Sequence, residues 1–297
     1  MAPLNLSTRQ VDPRSPSRRP RRAAYALPTL FTAGNIFLGF LSILKAFEGS
    51  RLPWGLNPHF ELAALAIGIA FALDGLDGRI ARLTNTVSEF GRELDSLADV
   101  ITFGIAPSIL AFTWGFSYID WWPDGGTRQY VMRAAYFLAF MYLLCGAARL
   151  ARFNIQVNPV PKNPGKPDRK YFVGLPIPAA AGMLAAVVYA SGGTPLRWWP
   201  FAVAWLALLA LLSFLMVSTW RYRSFKDLNL LRPRSFISLV LLGGAIFLLF
   251  SYSQPVLLAM ATVYTASGIV VRAGGILRRL FRGAQPPPRT QAGGSGA

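Results

Sequence analysis

Cysteine and histidine are nearly absent from the 297-residue sequence, which contains only Cys145 and His59 of these two types. A single cysteine excludes a disulfide within the chain and a metal site built from several cysteines. A single histidine nearly excludes histidine-based catalysis. If the chain is an enzyme, its carboxylates must therefore carry the chemistry.

Charged residues are also scarce, at 14% of the chain against about 25% in ordinary soluble domains. Hydrophobic residues make up 53%. They are grouped in blocks of 16 to 26 residues, around the roughly 20 residues that a helix needs to cross a bilayer. Several apolar blocks of this length exclude a soluble globular domain. The sequence therefore predicts an all-α polytopic membrane protein.

The apolar blocks predict eight transmembrane helices. They cover residues 27–47, 60–82, 91–116, 130–152, 172–191, 198–218, 236–251 and 256–271. The first block is long enough to span the membrane and lacks the small-residue cleavage site of a signal peptide, so we interpret it as a transmembrane helix. The two tails, residues 1–24 and 275–297, are rich in Pro, Ser, Gly or Arg and are predicted to be disordered.

Basic residues lie mainly on one side of the predicted helices. The chain has 30 Lys and Arg against 13 Asp and Glu, and 25 of the 30 fall in the two tails and in alternate connections. By the positive-inside rule, both termini are predicted to be cytoplasmic. The net charge of +17 therefore indicates topology and contact with anionic membrane lipid, and no nucleic-acid partner is expected.

Four aspartates interrupt the otherwise apolar second and third blocks. Asp74 and Asp77 are three residues apart at the end of one predicted helix, and Asp95 and Asp99 are four apart at the start of the next. Either spacing places both side chains on one helix face. Charged side chains near the bilayer core cost at least about 2.5 kcal/mol each and usually mark function. We therefore expect four carboxylates to converge at the cytoplasmic edge of the membrane.

Four converging carboxylates would repel one another unless cations neutralise them. Ligation by oxygen alone suits hard divalent ions such as Mg²⁺ or Mn²⁺. Two such ions about 3.5–4 Å apart are a common device for displacement at phosphorus. The predicted cofactors are therefore two divalent ions held by Asp74, Asp77, Asp95 and Asp99.

Small residues and one arginine share the same helix faces. Gly78, Ala81 and Gly91 each lie four residues from one of the aspartates, which leaves space for a substrate to approach the backbone. Arg82 adds a forked cation suited to a phosphate group. The pattern predicts a ligand that carries phosphate.

Two other interpretations of the aspartates are open. The carboxylates could be helix-end groups paired with Arg79, Arg82 and Arg92. They could also line the ion or proton pathway of a transporter, although they lie at one rim and are not spread through the spans. Their matched spacings and the small residues beside them favour the metal site.

The spaced residues resemble the signature of the CDP-alcohol phosphotransferase family. Residues 74–99 fit D-x2-D-G-x2-A-R-x8-G-x3-D-x3-D without departure. The resemblance covers about residues 25–220 and implies a six-helix catalytic membrane core that uses divalent metal, with a homodimer as the expected assembly. It also implies phosphotransfer from a CDP-linked donor to an alcohol, with release of CMP. Residues 221–274 would then form an additional helix pair outside this core.

The resemblance also implies roles for individual residues. Asp74, Asp77 and Asp95 would hold the metals, and Asp99 would contact the second metal and act as general base on the alcohol. Contacts with the nucleotide or with CDP-diacylglycerol are implied for Gly78, Ala81, Arg82, Ser88, Gly91, Thr32 and Asn35. For Thr32 and Asn35, hydrogen bonding between helices is the alternative.

Two further segments, residues 146–154 and 171–181, resemble the branch of this family that uses serine as the acceptor, the phosphatidylserine synthases. Arg149 and Arg152 are three residues apart on one helix face, and a free amino acid offers a carboxylate that suits such a partner. The alternative for these arginines is topological anchoring or pairing with lipid phosphate. The expected acceptor site therefore consists of Arg149 and Arg152.

The sequence thus predicts an enzyme of the bacterial inner membrane, with its active site facing the cytoplasm, that transfers the phosphatidyl group of CDP-diacylglycerol to L-serine. Sister enzymes acting on glycerol 3-phosphate, inositol phosphate or choline are alternatives. A phosphorylated acceptor would need a denser basic pocket than Arg149 and Arg152 supply, and choline an aromatic or acidic one. A carboxylate-based ion transporter and a non-catalytic membrane scaffold are the alternatives from other classes.

Overall fold

Helices form almost all of the regular structure in the computed structural model, which describes residues 22–84, 89–119, 125–157, 171–223, 243–244 and 247–282. In chain order the elements are α1 (Arg22–Gly49), α2 (Pro58–Thr84), α3 (Glu89–Asp99), a π-helical segment (Val100–Ile105), α4 (Ala106–Phe116), α5 (Gly125–Val157), β1 (Tyr171–Val173), α6 (Ile177–Ala190), α7 (Trp199–Val217), β2 (Arg221–Arg223) and α8 (Ser253–Arg282).

Six helices within these ranges are long and apolar enough to cross a membrane. They are Leu30–Gly49, Pro58–Leu76, Phe90–Phe116, Gly125–Ile155, Trp199–Val217 and Ser253–Arg272. α6 is also apolar but has 14 residues, or about 21 Å at 1.5 Å per residue. This is shorter than the roughly 30 Å hydrocarbon core. The predicted fold class, an all-α polytopic membrane protein, is confirmed, with one small sheet added.

The predicted fifth span, residues 172–191, begins too early. β1 occupies its first residues, Gly174 follows with a φ of +81°, and the helix begins only at Ile177. A Cβ at Gly174 would lie 2.5 Å from the carbonyl oxygen of Met216, so this turn needs glycine for both space and conformation. Apolar composition could not show that the chain first pairs with a distant strand.

That pairing forms a two-stranded antiparallel sheet, with Phe172 opposite Tyr222. The fully buried Tyr222 donates a hydrogen bond to the carbonyl oxygen of Thr265 at 3.4 Å. Its ring also packs on Gly268 so closely that no Cβ would fit there. Burial and the neighbouring Tyr264 raise the pKa of Tyr222 to about 12, so the hydroxyl stays a neutral donor. The sheet thereby joins the segments before α6 and after α7 to α8.

α8 extends further than the predicted eighth span, residues 256–271, and continues to Arg282. The tail that we predicted from residue 275 therefore starts within this helix. The amphipathic pattern of α8 continues past its apolar part, so a span prediction based on hydropathy ends too soon. The predicted seventh span, residues 236–251, and the N-terminal tail, residues 1–24, lie largely outside the described ranges.

The third span is one continuous rod made of α3, the π-helical segment and α4. Thr102 of the π-helical segment donates a hydrogen bond to the carbonyl oxygen of Asn35 in α1 at 2.9 Å. Gly39 permits this approach, because a Cβ there would lie 2.9 Å from the Cα of Thr102. This contact holds the third span against α1, three residues after Asp99.

The outer faces of the helices carry large aromatic side chains. Exposures between 54% and 62% occur at Phe37, Phe40, Phe137 and Phe140. Large exposed apolar side chains that lie close together mark contact with a membrane or with another protein. Inside the bundle, by contrast, Trp114 and Trp205 are buried, with ring centroids 4.9 Å apart.

Candidate active site

Three aspartate side chains from α2 and α3 meet at one point. Asp74, Asp95 and Asp99 each offer one carboxylate oxygen, and these oxygens lie within 4.8 Å of one another. Asp99 is 9% exposed, and the other two are half-buried. The structure thus brings together three of the four predicted metal ligands. The side chain of Asp77 lies outside the part that the structure describes.

The donor set of this cluster fits a divalent cation. One carboxylate oxygen of Asp95 is buried and has no hydrogen-bond partner among the described residues. A buried anionic oxygen without a partner is unfavourable, and neighbouring carboxylates add repulsion. Hard ions such as Mg²⁺ and Mn²⁺ prefer oxygen ligands of this kind. Asp74, Asp95 and Asp99 could therefore hold a metal.

Arg149 of α5 lies beside this cluster. Its side chain is 8% exposed and close enough to Asp99 to interact with it electrostatically. The guanidinium carbon lies 5.8 Å from the ring centroid of Phe153. Its Nε has no hydrogen-bond partner within the described ranges. Because a buried cation needs compensation, this position suits the anionic group of a ligand.

Arg152, the second predicted acceptor residue, has different surroundings. Its Nη1 donates a hydrogen bond to the carbonyl oxygen of Val217 at 3.2 Å, at the end of α7. A Cβ at Gly174 would lie 3.1 Å from its Nη2, so the guanidinium packs over the turn before α6. The two arginines share a helix face, but Arg149 interacts with Asp99 and Arg152 with backbone.

Thr32 and Asn35 of α1 are both buried, with exposures of 5% and 0%. The backbone carbonyl of Asn35 accepts the hydrogen bond from Thr102. Both amide atoms of the Asn35 side chain are buried with no hydrogen-bond partner in the described part of the chain. The contact between helices therefore uses the backbone of Asn35, and nucleotide binding by its side chain stays a prediction.

The other predicted nucleotide contacts lie at the edge of the described structure. Gly91 is half-buried in α3. Gly78, Ala81 and Arg82 belong to the last turns of α2, but nothing beyond their backbone is described. Ser88 falls outside the described residues altogether. The roles assigned to these five residues stay predictions.

Two polar residues that sequence reasoning missed join α3 to α5. Asn154 Nδ2 donates a hydrogen bond to Ser96 Oγ at 2.8 Å, and Ser96 Oγ donates to the carbonyl oxygen of Arg92 at 3.1 Å. The position of Ser96 between two conspicuous aspartates was an available signal. Its partner is 58 residues away in the chain, which no local spacing reveals.

Tyr264 of α8 is the third residue that sequence reasoning missed. It packs against the buried core and is close enough to Arg149 to interact electrostatically. No local pattern in the chain indicates this proximity, because α8 follows the predicted catalytic core.

Together these contacts define a class: a polytopic membrane protein with a carboxylate cluster that could hold a cation, beside a buried arginine. Cations held by such a cluster stabilise negative charge on phosphate oxygens. The arginine provides a separate place for an anionic group. The arrangement therefore suits displacement at phosphorus in a ligand that reaches the site from the membrane edge.

Comparison with known sequences gives the family. Residues 25–213 match the family described as CDP-alcohol phosphatidyltransferase, and the chain belongs to this family. The matched region includes the spaced aspartates, Arg149 and Arg152, whereas α8 lies beyond it. The resemblance inferred from the aspartate spacing is confirmed.

Several relatives carry one enzyme name, CDP-diacylglycerol–serine O-phosphatidyltransferase. The Helicobacter pylori protein is 37% identical over 211 residues, which is 71% of this chain and 77% of the relative. The Bacillus subtilis protein is 32% identical over 204 residues, 67% of this chain and 91% of the relative. The Saccharomyces cerevisiae protein is 40% identical over 156 residues, 52% of this chain and 50% of the relative.

Proposed function

We propose that the chain transfers the phosphatidyl group of CDP-diacylglycerol to the hydroxyl of L-serine, giving phosphatidylserine and CMP. The observation that carries this proposal is the convergence of Asp74, Asp95 and Asp99 within the family signature. The enzyme name shared by the relatives supports serine as the acceptor.

CDP-diacylglycerol would lie with its acyl chains in lipid and its CDP group at the polar ends of α2 and α3. The small residues of the signature leave space there for the pyrophosphate, and Arg82 supplies a forked cation. The buried amide of Asn35 supplies donors and an acceptor for the nucleotide. The complete proposed nucleotide set is Thr32, Asn35, Gly78, Ala81, Arg82, Ser88 and Gly91.

Asp74, Asp95 and Asp99, with Asp77 from the same signature, would hold two divalent ions, Mg²⁺ or Mn²⁺. When bound, such ions supply positive charge to the pyrophosphate oxygens and the departing CMP. The carboxylates come from two helices whose positions are set by the packing of the bundle. They would therefore determine where the ions, and with them the reacting phosphate, are held.

Asp99 is the proposed general base. It is nearly buried and interacts with Arg149, so an acceptor bound to that guanidinium can present its hydroxyl to this carboxylate. The serine oxygen forms a bond to the phosphorus that carries diacylglycerol, and the bond from this phosphorus to the CMP oxygen breaks. The hydroxyl proton passes to Asp99. No covalent enzyme intermediate is needed.

Arg149 is the proposed partner of the serine carboxylate. Arg152 adds positive charge nearby, although its Nη1 is engaged by the backbone of Val217. Because one of these two arginines already donates a hydrogen bond to the backbone, the pair is better suited to bind a single carboxylate than the phosphate of glycerol 3-phosphate or inositol phosphate.

The proposal includes a location and an assembly. The chain would lie in a bacterial inner membrane, and the distribution of Lys and Arg supports a cytoplasmic position for both termini and the active site. The family resemblance supports a homodimer. The proposed division of the chain is a catalytic core over residues 25–220, an additional helix pair over 221–274, and two tails.

The first test is CMP release by the purified protein supplied with CDP-diacylglycerol and Mn²⁺, with and without L-serine. We expect serine-dependent release that EDTA abolishes. Asp99→Asn should lower the rate by about 10²- to 10⁴-fold, the usual contribution of a general base. Glu93→Gln makes the same chemical change at an exposed position of α3 and should retain near-normal activity.

Other outcomes would contradict particular parts of the proposal. Release with glycerol 3-phosphate, inositol phosphate or choline, but not with serine, would overturn the acceptor. Near-normal turnover by Asp99→Asn would overturn the base. Ion flux without CMP release in the presence of any of these alcohols would favour a carboxylate-based transporter.

A further inference from the structure

A proline explains why the chain is π-helical over Val100–Ile105. In an α-helix, the carbonyl oxygen of Phe103 would accept a hydrogen bond from the amide of residue 107, but that residue is proline and has no N–H. Its ring would also clash with the same carbonyl group. The helix widens instead, and the amide of Ala106 bonds to the carbonyl oxygen of Ile101, five residues back. Pro107 then lies in the first turn of α4, where proline is tolerated.

Tyr142 of α5 supplies a donor to the carbonyl group that loses its α-helical partner. Its hydroxyl donates a hydrogen bond to the carbonyl oxygen of Phe103 at 3.2 Å, and its side chain is fully buried. No water is present in the bilayer core to replace such a donor. Gly104 permits the close approach of α5, because a Cβ there would lie 2.9 Å from Leu143 Cδ1. The hydroxyl of Tyr142 therefore stabilises the π-helical segment.

The π-helical segment sets the rotation of α3 about its own axis. Each residue of an α-helix turns the chain by about 100°, so a return of this segment to α-helical hydrogen bonding would rotate α3 by roughly that angle relative to α4. Asp95 and Asp99 lie directly before the segment, and their carboxylates meet that of Asp74 from α2. A rotation of this size would point both carboxylates away from Asp74.

We propose that Tyr142 is a positioning residue for the carboxylate cluster. Its hydroxyl holds the π-helical segment, and this segment directs Asp95 and Asp99 toward Asp74, where the proposed cations bind. The inference rests on the metal site of the proposed function and deepens it. It gives a buried side chain of α5, outside the signature of residues 74–99, a part in forming that site.

The test compares two tyrosine-to-phenylalanine variants, each of which keeps the ring and loses a hydroxyl bonded to backbone. Tyr142→Phe removes the donor to Phe103. Tyr118→Phe removes the donor to the carbonyl oxygens of Gly49 at 2.6 Å and Leu52 at 2.8 Å. Tyr118 follows α4, at the end of the third span that lies away from the aspartates. It is therefore a matched control for a lost tyrosine hydrogen bond.

Binding of Mn²⁺ to the purified protein without substrate is the first measurement, followed through the electron paramagnetic resonance signal of the free ion. Tyr142→Phe should raise the dissociation constant for Mn²⁺ by roughly three- to tenfold, the range expected when one hydrogen bond is lost. Tyr118→Phe should bind Mn²⁺ as the wild type does. A loss of stability alone would lower the number of sites and leave the dissociation constant unchanged.

Serine-dependent CMP release is the second measurement. Tyr142→Phe should need more Mn²⁺ for half-maximal release, by a similar factor, and should have a lower kcat. Tyr118→Phe should keep the wild-type values of both.

The two proposals fail in different ways. An unchanged dissociation constant in Tyr142→Phe, or an equal rise in both variants, would overturn the role of Tyr142 and leave the proposed function standing. If the wild type releases no CMP in response to serine, while Tyr142→Phe alone binds Mn²⁺ more weakly, the proposed function is wrong and the positioning role stands. A wild type that binds no Mn²⁺ would overturn both.

Discussion

At the scale of single residues, Arg149 and Arg152 are identical side chains on one helix face that have different contacts. Their spacing predicted a shared ligand. In the structure, Arg149 lies beside Asp99, whereas Arg152 donates a hydrogen bond to the backbone of α7. Binding of an acceptor carboxylate should therefore depend more on Arg149, and Arg152 should contribute mainly to helix packing.

The hydrogen bond from Asn154 to Ser96 gives a prediction at the same scale. Asn154→Ala should lower the free energy of unfolding by about 1 kcal/mol, the usual net contribution of one hydrogen bond. It should also lower kcat, because Ser96 lies on α3 between two aspartates of the proposed metal site. Thermal unfolding and CMP release measure the two effects.

A double-mutant cycle with Ser96→Ala isolates this contact. Each single variant removes the bond from Asn154 to Ser96, and Ser96→Ala also removes the bond to the carbonyl oxygen of Arg92. The double variant should therefore lose little more stability than Ser96→Ala alone, a coupling of about 1 kcal/mol. Fully additive losses would contradict the coupling. Ser117→Ala, at an exposed position, is the control and should leave both stability and kcat unchanged.

At the scale of elements, the π-helical segment Val100–Ile105 is the feature that joins the site to α1. π-helical turns within α-helices occur frequently at functional sites. Here the segment starts directly after Asp99, and its Thr102 bonds to α1. The position of α3, and with it the carboxylates of Asp95 and Asp99, therefore depends on how closely α1 approaches this segment.

Gly39→Ala tests that dependence. The added Cβ would meet Thr102 Oγ1 at 2.5 Å and Thr102 Cα at 2.9 Å, so α1 and the π-helical segment must separate. We expect a loss of about 1–3 kcal/mol in stability, as for other overpacked sites. The Mn²⁺ concentration needed for half-maximal CMP release should also rise, because the carboxylates shift.

Gly68→Ala is the matched control for this substitution. Gly68 also lies within a membrane-spanning helix, and a Cβ there meets nothing within 4 Å. The control should keep the wild-type Mn²⁺ requirement and lose no stability. An unchanged Mn²⁺ requirement in Gly39→Ala would show that α1 does not influence the metal site.

At the scale of the whole molecule, the charge distribution predicts which end of the bundle faces the cytoplasm. The start of α3 belongs to the end with the aspartates, and the end of α4 lies at the opposite end of the same rod. Glu93 and Ser117 are exposed at these two positions. They can therefore report the orientation of the protein in the cell.

Cysteine labelling tests the orientation in a background that lacks the native cysteine, Cys145→Ser. In spheroplasts, a membrane-impermeant maleimide should label Ser117→Cys without permeabilisation. Glu93→Cys should be labelled only after the membrane is permeabilised. The reverse pattern would place the active site outside the cytoplasm and contradict the positive-inside prediction.

The sequence by itself determined the membrane class and the aspartate cluster. Span length depends on counting apolar residues against a fixed bilayer thickness. The alignment of Asp95 with Asp99 depends on the local repeat of the helix. Both are properties of short segments, so six of the eight predicted spans correspond to long apolar helices in the described structure, and the carboxylates share a face as predicted. Family membership followed from the same spacing.

Only the tertiary structure decided which distant segments complete the site. The pairing of β1 with β2, the bond from Asn154 to Ser96 and the approach of Tyr264 to Arg149 all join residues far apart in the chain. They arise because helices pack through side-chain shape and because exposed strand edges need partners. Neither leaves a local period in the sequence. The convergence of the carboxylates could therefore be predicted from spacing, and the surroundings of Arg149 could not.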